Sequence, residues 1–144
     1  MLQIQSLYPE ELVAPMRDEL TSVGVEELRT VEDVDNELGN HSGTTLVIIN
    51  SVCGCAAGMA RPAVVKALQN EILPEKITTV FAGVDREATE KVRGYLLGYA
   101  PSSPSMALFK DGEVVHFIPR MDIEGNLTES ITENLTNSFD TYCK

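Results

Sequence analysis

Thr44-Thr45-Leu46-Val47-Ile48-Ile49-Asn50-Ser51-Val52-Cys53-Gly54-Cys55-Ala56-Ala57-Gly58 is the stretch on which the fold turns. Residues 44–50 are, up to the closing Asn50, β-branched or apolar with no alternation, which predicts a central strand covered on both faces. The two cysteines follow at once. Residues 56–69 then read as a helix, with Pro62 inside it. Strand, cysteine pair and helix therefore meet at one junction.

Upstream of that strand, Leu12, Val13, Met16 and Leu20 recur at helical spacing over 10–22, with Gly24 as a stop and Pro15 expected to shorten or kink the helix. A short strand over 25–29 follows. Thr30 then has the character of an N-cap for a helix over 31–38, closed by Gly39. Downstream, 77–84 reads as a second apolar strand and 86–97 as a helix covering the sheet, and Tyr95 and Tyr99, at helical spacing, are expected to cover it too. Strands over 106–109 and 114–117 are joined through Lys110-Asp111-Gly112, and Asp-Gly supports a tight hairpin turn. Leu127, Ile131, Leu135 and Phe139 recur every fourth residue, the spacing of one face of a C-terminal helix. The order is one helix, then βαβαβαββα. It predicts an α/β fold with a mixed central sheet and helices on both faces. One domain is expected over 1–144, with 1–23 as an N-terminal helical extension.

At 144 residues such a domain buries a core without covalent staples. The 22 acidic side chains against 11 basic ones give a net charge of −11, which repels phosphate backbones and argues against nucleic acid as a partner. Met1-Leu2-Gln3-Ile4-Gln5-Ser6 lacks a basic start followed by a long apolar run, so neither a secretory signal nor a membrane span is expected. A cytoplasmic protein without a membrane partner is the expectation. Asn40-His41-Ser42, Asn126-Leu127-Thr128 and Asn134-Leu135-Thr136 then match the glycosylation pattern by chance. Three cysteines are odd in number and too few for a secreted disulfide scaffold.

Cys53-Gly54-Cys55 stands where a helix begins. Unpaired N–H groups and the positive end of the helix dipole favour a thiolate there, and the thiolate is the nucleophile of disulfide exchange. One intervening residue makes a smaller ring than a C-x-x-C bridge. Gly54 can relax that turn by taking positive φ. A bridge across the pair is expected to be of the labile, readily exchanged kind. Two other readings stand beside this one. The pair can be inert buried thiols, or two thiolates can hold a soft metal such as Cu(I), zinc or a cluster, an ion bridging a dimer included. A zinc site normally takes four ligands, and the sequence supplies no second cysteine pair or histidine cluster.

Ser102-Ser103-Pro104-Ser105 precedes the strand at 106–109, a place where proline is tolerated. The run Pro104-Ser105-Met106-Ala107-Leu108-Phe109-Lys110-Asp111-Gly112-Glu113-Val114 resembles the thioredoxin segment from the cis-proline through the final hairpin. More closely, Asn50 to Gly58, then Ala60-Arg61-Pro62-Ala63, Phe81-Ala82-Gly83, Pro101 to Leu108 and Val115-His116-Phe117-Ile118-Pro119-Arg120 resemble the bacilliredoxin family. The resemblance implies a thioredoxin-like fold and a thiol–disulfide oxidoreductase. It implies Cys53 as nucleophile on mixed disulfides between client proteins and the small thiol bacillithiol, with Cys55 resolving. It also implies a cis Pro104 facing the cysteines, and Ser103 offering backbone hydrogen bonds to an extended substrate. Bacillithiol enters as co-substrate, with no bound cofactor or metal, and a reductase recycles the protein. General disulfide isomerase activity is the nearest alternative.

Five further residues carry weaker signals. Arg61 and Arg120 could attract the carboxylates of the small thiol or be solvated charges. Cys143 could be a second resolving thiol, although a position near the terminus reads more simply as incidental. His116 reads as a packed or solvated strand histidine rather than an acid near Cys53. His41 has no nameable partner.

Overall fold

The computed structural model describes residues 5–39 and 42–144. His41 and Asn40 of the first glycosylation match lie outside the described residues, as do the first four residues of the N-terminal reading. In chain order the elements are α1 (Glu10–Thr21), β1 (Glu26–Glu27), α2 (Val31–Leu38), β2 (Thr44–Asn50), α3 (Arg61–Ala67), β3 (Lys76–Phe81), α4 (Arg86–Gly94), β4 (Ser105–Lys110), β5 (Glu113–Ile118) and α5 (Thr128–Tyr142). A π-helical turn, Ala56–Ala60, leads into α3, and a 3-10 turn, Arg120–Asp122, follows β5.

The sheet runs β1-β3-β2-β4-β5. β1 and β2 lie parallel to β3, while β4 is antiparallel to β2 and β5. The central position of β2 agrees with its composition, since every residue from Thr44 to Asn50 is buried. Leu46 and Ile48 face one side, packed with Met106, Leu108 and Ile118 beneath Leu20, Val64, Ile131, Leu135 and Phe139. Val47 and Ile49 face the other side, with Val80, Ala107 and Phe109 beneath Val34, Leu38, Ala88, Val92 and Leu96. Helices α1, α3 and α5 thus share one face and α2 and α4 the other. Each buried large aliphatic or aromatic side chain stabilises this sandwich by roughly 1.5–3 kcal/mol.

Local chemistry explains most element ends. The Asp33 N–H donates to Thr30 Oγ1 at 3.0 Å and the Thr30 N–H donates back to Asp33 Oδ2 at 3.2 Å, a reciprocal cap that starts α2. Asp111 and Gly112 take φ of 50° and 85°, the paired left-handed values a two-residue hairpin needs. Gly24, with φ of 94°, ends the α1 region as expected.

Gly39 closes α2 as expected, in a right-handed conformation with φ −75°, its N–H donating to the Asp35 carbonyl. Other expectations are corrected. Pro15 does not break α1: it sits on the exposed side, where water can serve the Glu11 carbonyl it leaves free. Leu12 and Leu127 are 47% and 70% exposed, so neither belongs to its helix's buried face, and Leu127 is the N-cap of α5. The strand expected over 77–84 stops at Phe81 because the chain turns at Gly83, φ 78°. The helix expected over 86–97 ends at Gly94.

The largest difference concerns the helix expected over 56–69. Pro62 has no N–H and its ring would crowd the Gly58 carbonyl four residues back. The chain answers by widening the turn, with the Arg61 N–H reaching the Ala56 carbonyl five residues back. The Gly58 carbonyl instead accepts from Thr128 Oγ1 at 3.3 Å.

Candidate functional site

β2 delivers Ser51-Val52-Cys53 to the end of the sheet where its strand stops, and the chain becomes helical at Gly54. Cys53 therefore lies outside the helix while Cys55, φ −70° and ψ −27°, lies inside its first turn. That offset lets the two side chains converge where positions two apart within one helix would diverge: the sulfurs are joined in a disulfide, with the Cα atoms 5.4 Å apart. Gly54 corrects an expectation, because it is not among the glycines with positive φ and a Cβ there would meet nothing within 4 Å. The bridge closes without left-handed backbone at the spacer.

Exposure separates the two sulfurs. Cys53 is half-buried, whereas Cys55 is 8% exposed. The Cys55 N–H donates to Cys53 Sγ at 3.3 Å, and the Ala56 N–H donates to the Cys53 carbonyl at 3.0 Å. A helix-end donor aimed at the outer sulfur favours its thiolate when the bridge opens. The Cys53 N–H is itself held by Ser51 Oγ at 3.1 Å.

Beneath this loop lies a buried polar layer. Asn50 Oδ1 accepts from the Ser51 N–H at 2.8 Å and from Arg61 Nη1 at 2.9 Å, and Asn50 Nδ2 donates to the Met16 carbonyl at 3.4 Å. Arg61 Nη1 also donates to the Ser51 carbonyl at 2.9 Å, and its Nε pairs with Glu19. At 2% exposure, Arg61 is not the solvated or ligand-seeking charge expected from sequence. It is part of the scaffold under Cys53, and α1 supplies its carboxylate.

A second loop at this end of the sheet leads into β4. The antiparallel register pairs Ile49 with Ser105, so the Pro104 loop and the Cys53 loop leave the sheet at the same end of neighbouring strands. The Ser103–Pro104 peptide is cis, Pro104 is buried and Ser103 half-buried. Ser105 Oγ donates to the Ser102 carbonyl at 2.8 Å, while Ser102 Oγ accepts from the Arg120 N–H at 3.2 Å. Arg120 Nη1 donates to the Ser103 carbonyl at 3.3 Å and Nε to Glu124 at 2.8 Å. Arg120 thus braces the proline loop, a role its sequence context did not announce. Its contact takes one of the two lone pairs on the Ser103 carbonyl. Beside this loop opens a cavity of about 410 Å³ with Ile49, Leu96, Tyr99, Ser102 and Phe117 in its wall.

The remaining sequence candidates stand apart. His116 on β5 bonds to Asn134 Oδ1 at 2.6 Å. Tyr95 covers the sheet as expected and donates its hydroxyl to Asp35, which pushes its pKa up. Tyr99 stacks on Phe117 with ring centroids 4.7 Å apart. Cys143, beside Thr44, is at the other end of β2, about 20 Å of strand from Cys53. Burial raises its pKa. Among the described residues, no three His, Cys, Asp or Glu side chains gather as a metal site, and no helix is long and apolar enough to cross a membrane.

Comparison with known proteins places this geometry. Residues 8–143 match the family model described as "Disulphide isomerase". A bacilliredoxin of Geobacillus kaustophilus is 57% identical over 137 residues, covering 94% of both chains. The chain belongs to the bacilliredoxin family. Bacilliredoxins of Bacillus licheniformis and Staphylococcus aureus are 55% and 51% identical, covering 94% and 96% of this chain and 95% and 94% of theirs. Like this bacilliredoxin-family chain, thioredoxin O1 of Arabidopsis thaliana has the thioredoxin fold. The TM-score is 0.55, with 17% identity, over 84% of this chain and 99% of that one. The thioredoxin of Fasciola hepatica gives 0.53 at 18% identity, over 78% and 98%. The protein is a thiol–disulfide oxidoreductase of thioredoxin fold.

Sequence reasoning missed Arg61 as scaffold, though one signal existed. Arg61 lies between Ala60 and Val64 on the stripe that the helix buries, and a cation there needs a partner. Its partners Glu19 and Asn50 come from other elements, which no local spacing reveals.

Proposed function

We propose that this chain reduces mixed disulfides between client proteins and bacillithiol in the cytoplasm, with Cys53 attacking and Cys55 resolving. The supporting observation is the asymmetry of the pair: an outer sulfur held by a helix-end N–H beside an inner sulfur shielded from solvent. The Cys53 thiolate attacks the bacillithiol sulfur of the mixed disulfide. The client leaves as its thiolate, takes a proton and is thereby reduced. Cys53 now carries the small thiol. Attack by the Cys55 thiolate on Cys53 Sγ expels bacillithiol and forms the Cys53–Cys55 disulfide, which a recycling reductase opens with two electrons and two protons. Gly54 keeps the spacer between the two sulfurs short. The backbone at Ser103, oriented by the cis bond to Pro104, holds the extended client segment opposite Cys53, and the neighbouring cavity gives its side chains room. A net charge of −11 is consistent with protein clients rather than nucleic acid.

The test is direct. A client protein carrying bacillithiol is incubated with the reduced enzyme, and free client is followed by mass. Release by wild type and none by Cys53→Ser is the expected result; equal release by Cys53→Ser ends the assignment. The family model's description favours a second reading, general disulfide isomerisation. Faster turnover of scrambled protein disulfides than of the bacillithiol adduct would select it.

A further inference from the structure

We propose that Arg61 and Glu19 form an opposed charge couple that sets how readily Cys53 ionises, Arg61 favouring the thiolate and Glu19 tempering it. The inference rests on Cys53 being the attacking thiol. Arg61 is 2% exposed, and a guanidinium so dry must be hydrogen-bonded and paired. Of its partners, the Asn50 side chain and Ser51 carbonyl are neutral, and Glu19 alone carries charge. The Glu19 side chain is 48% exposed against 2% for Arg61, so water screens the anion far more than the cation. A net positive field is left under the loop.

The cation is bonded to the chain that leads into Cys53. The Ser51 carbonyl, 2.9 Å from Arg61 Nη1, is two residues from Cys53, a stretch of chain spanning at most about 7 Å. The couple also acts through geometry. Arg61 fixes the Ser51 carbonyl while the Ser51 hydroxyl holds the Cys53 N–H, so the sulfur's backbone rests on the cation. The other ion pairs near the site are Arg120 with Glu124 behind the proline loop, and the cluster of Arg17 and Arg29 with Asp85, Glu10 and Glu27 at the other side of α1. Arg61 and Glu19 are positioning residues, since neither is placed against the reacting sulfur.

Opposite signs make the proposal testable on the whole reduced protein. Cys53 alkylation by iodoacetamide is followed against pH, with the modified peptide identified by mass. Arg61→Met is expected to raise the half-reaction pH by about 0.5–1 unit, and Glu19→Gln to lower it by about 0.5 unit. Arg61→Lys keeps the charge and recovers most of the shift. A couple that merely held the loop would loosen in both variants and move the titration the same way. Shifts of the same sign, or both variants within about 0.2 unit of wild type, overturn the proposal. If Arg61→Met does not fold, Glu19→Gln decides alone, and an unchanged or raised value overturns it. A wild-type half-reaction pH at or above the free-cysteine value of about 8.5 instead defeats the reading of Cys53 as nucleophile.

Discussion

Asp85, in the turn after β3, accepts from both terminal nitrogens of Arg17 on α1, at 2.7 and 3.0 Å, with the two side chains 8% and 7% exposed. Glu10 and Glu27 complete the cluster, and the guanidinium lies 5.5 Å from the centre of the Phe81 ring. Burial works against the charge on Arg17, but Asp85 and Glu10 outweigh it and raise its proton affinity. Removing Asp85 takes the bidentate, buried partner from Arg17 and leaves it only the more exposed Glu10 and Glu27. Asp85→Ala is therefore expected to cost about 3 kcal/mol in urea unfolding. A loss within experimental error would show that the cluster is solvated and that α1 is held by its apolar contacts alone.

Replacing the inner sulfur should divide the reaction. Cys55→Ser is expected to release client in a first turnover and then keep bacillithiol on Cys53, visible as an added mass on the intact protein. Free, unmodified Cys53 after that turnover would show that another thiol resolves the adduct.

Cys143 offers a control at the far end of β2. Cys143→Ser should leave the rate of client release unchanged within about twofold, because the sulfur is about 20 Å of strand from Cys53. Its raised pKa also predicts slower alkylation at neutral pH than at Cys53, measured in one digest.

Glu26 supplies a pH dependence. Partial burial, then the nearby Glu37, holds its carboxyl above the usual range. A carboxyl whose folded pKa is raised favours the folded state at low pH, and that contribution disappears as pH rises through the folded value. Glu26→Gln should therefore raise the melting temperature at pH 7 and give no gain at pH 3.5. Equal effects at both pH values would assign the change to something other than ionisation.

What could be read from sequence follows the range of the interactions involved. β2 was legible to the residue because both its faces are apolar, and the hairpin because Asp111-Gly112 states its turn locally. The cysteine junction was legible because strand, motif and helix are contiguous. The π turn was not: Pro62 forecasts a disturbance, but its form depends on Thr128 arriving from α5 to serve the Gly58 carbonyl. The scaffold under Cys53 was hidden for the same reason, since Glu19, Asn50 and Arg61 belong to α1, β2 and α3.

The pairing of β2 with β4 has a consequence for biogenesis. On a ribosome, the segment with both cysteines emerges well before the strand that must lie alongside it, so a nascent chain carries two thiols without the loop that later neighbours them. The proline loop joins the cysteine loop only when that late strand pairs with β2, a contact between distant parts of the chain that forms slowly.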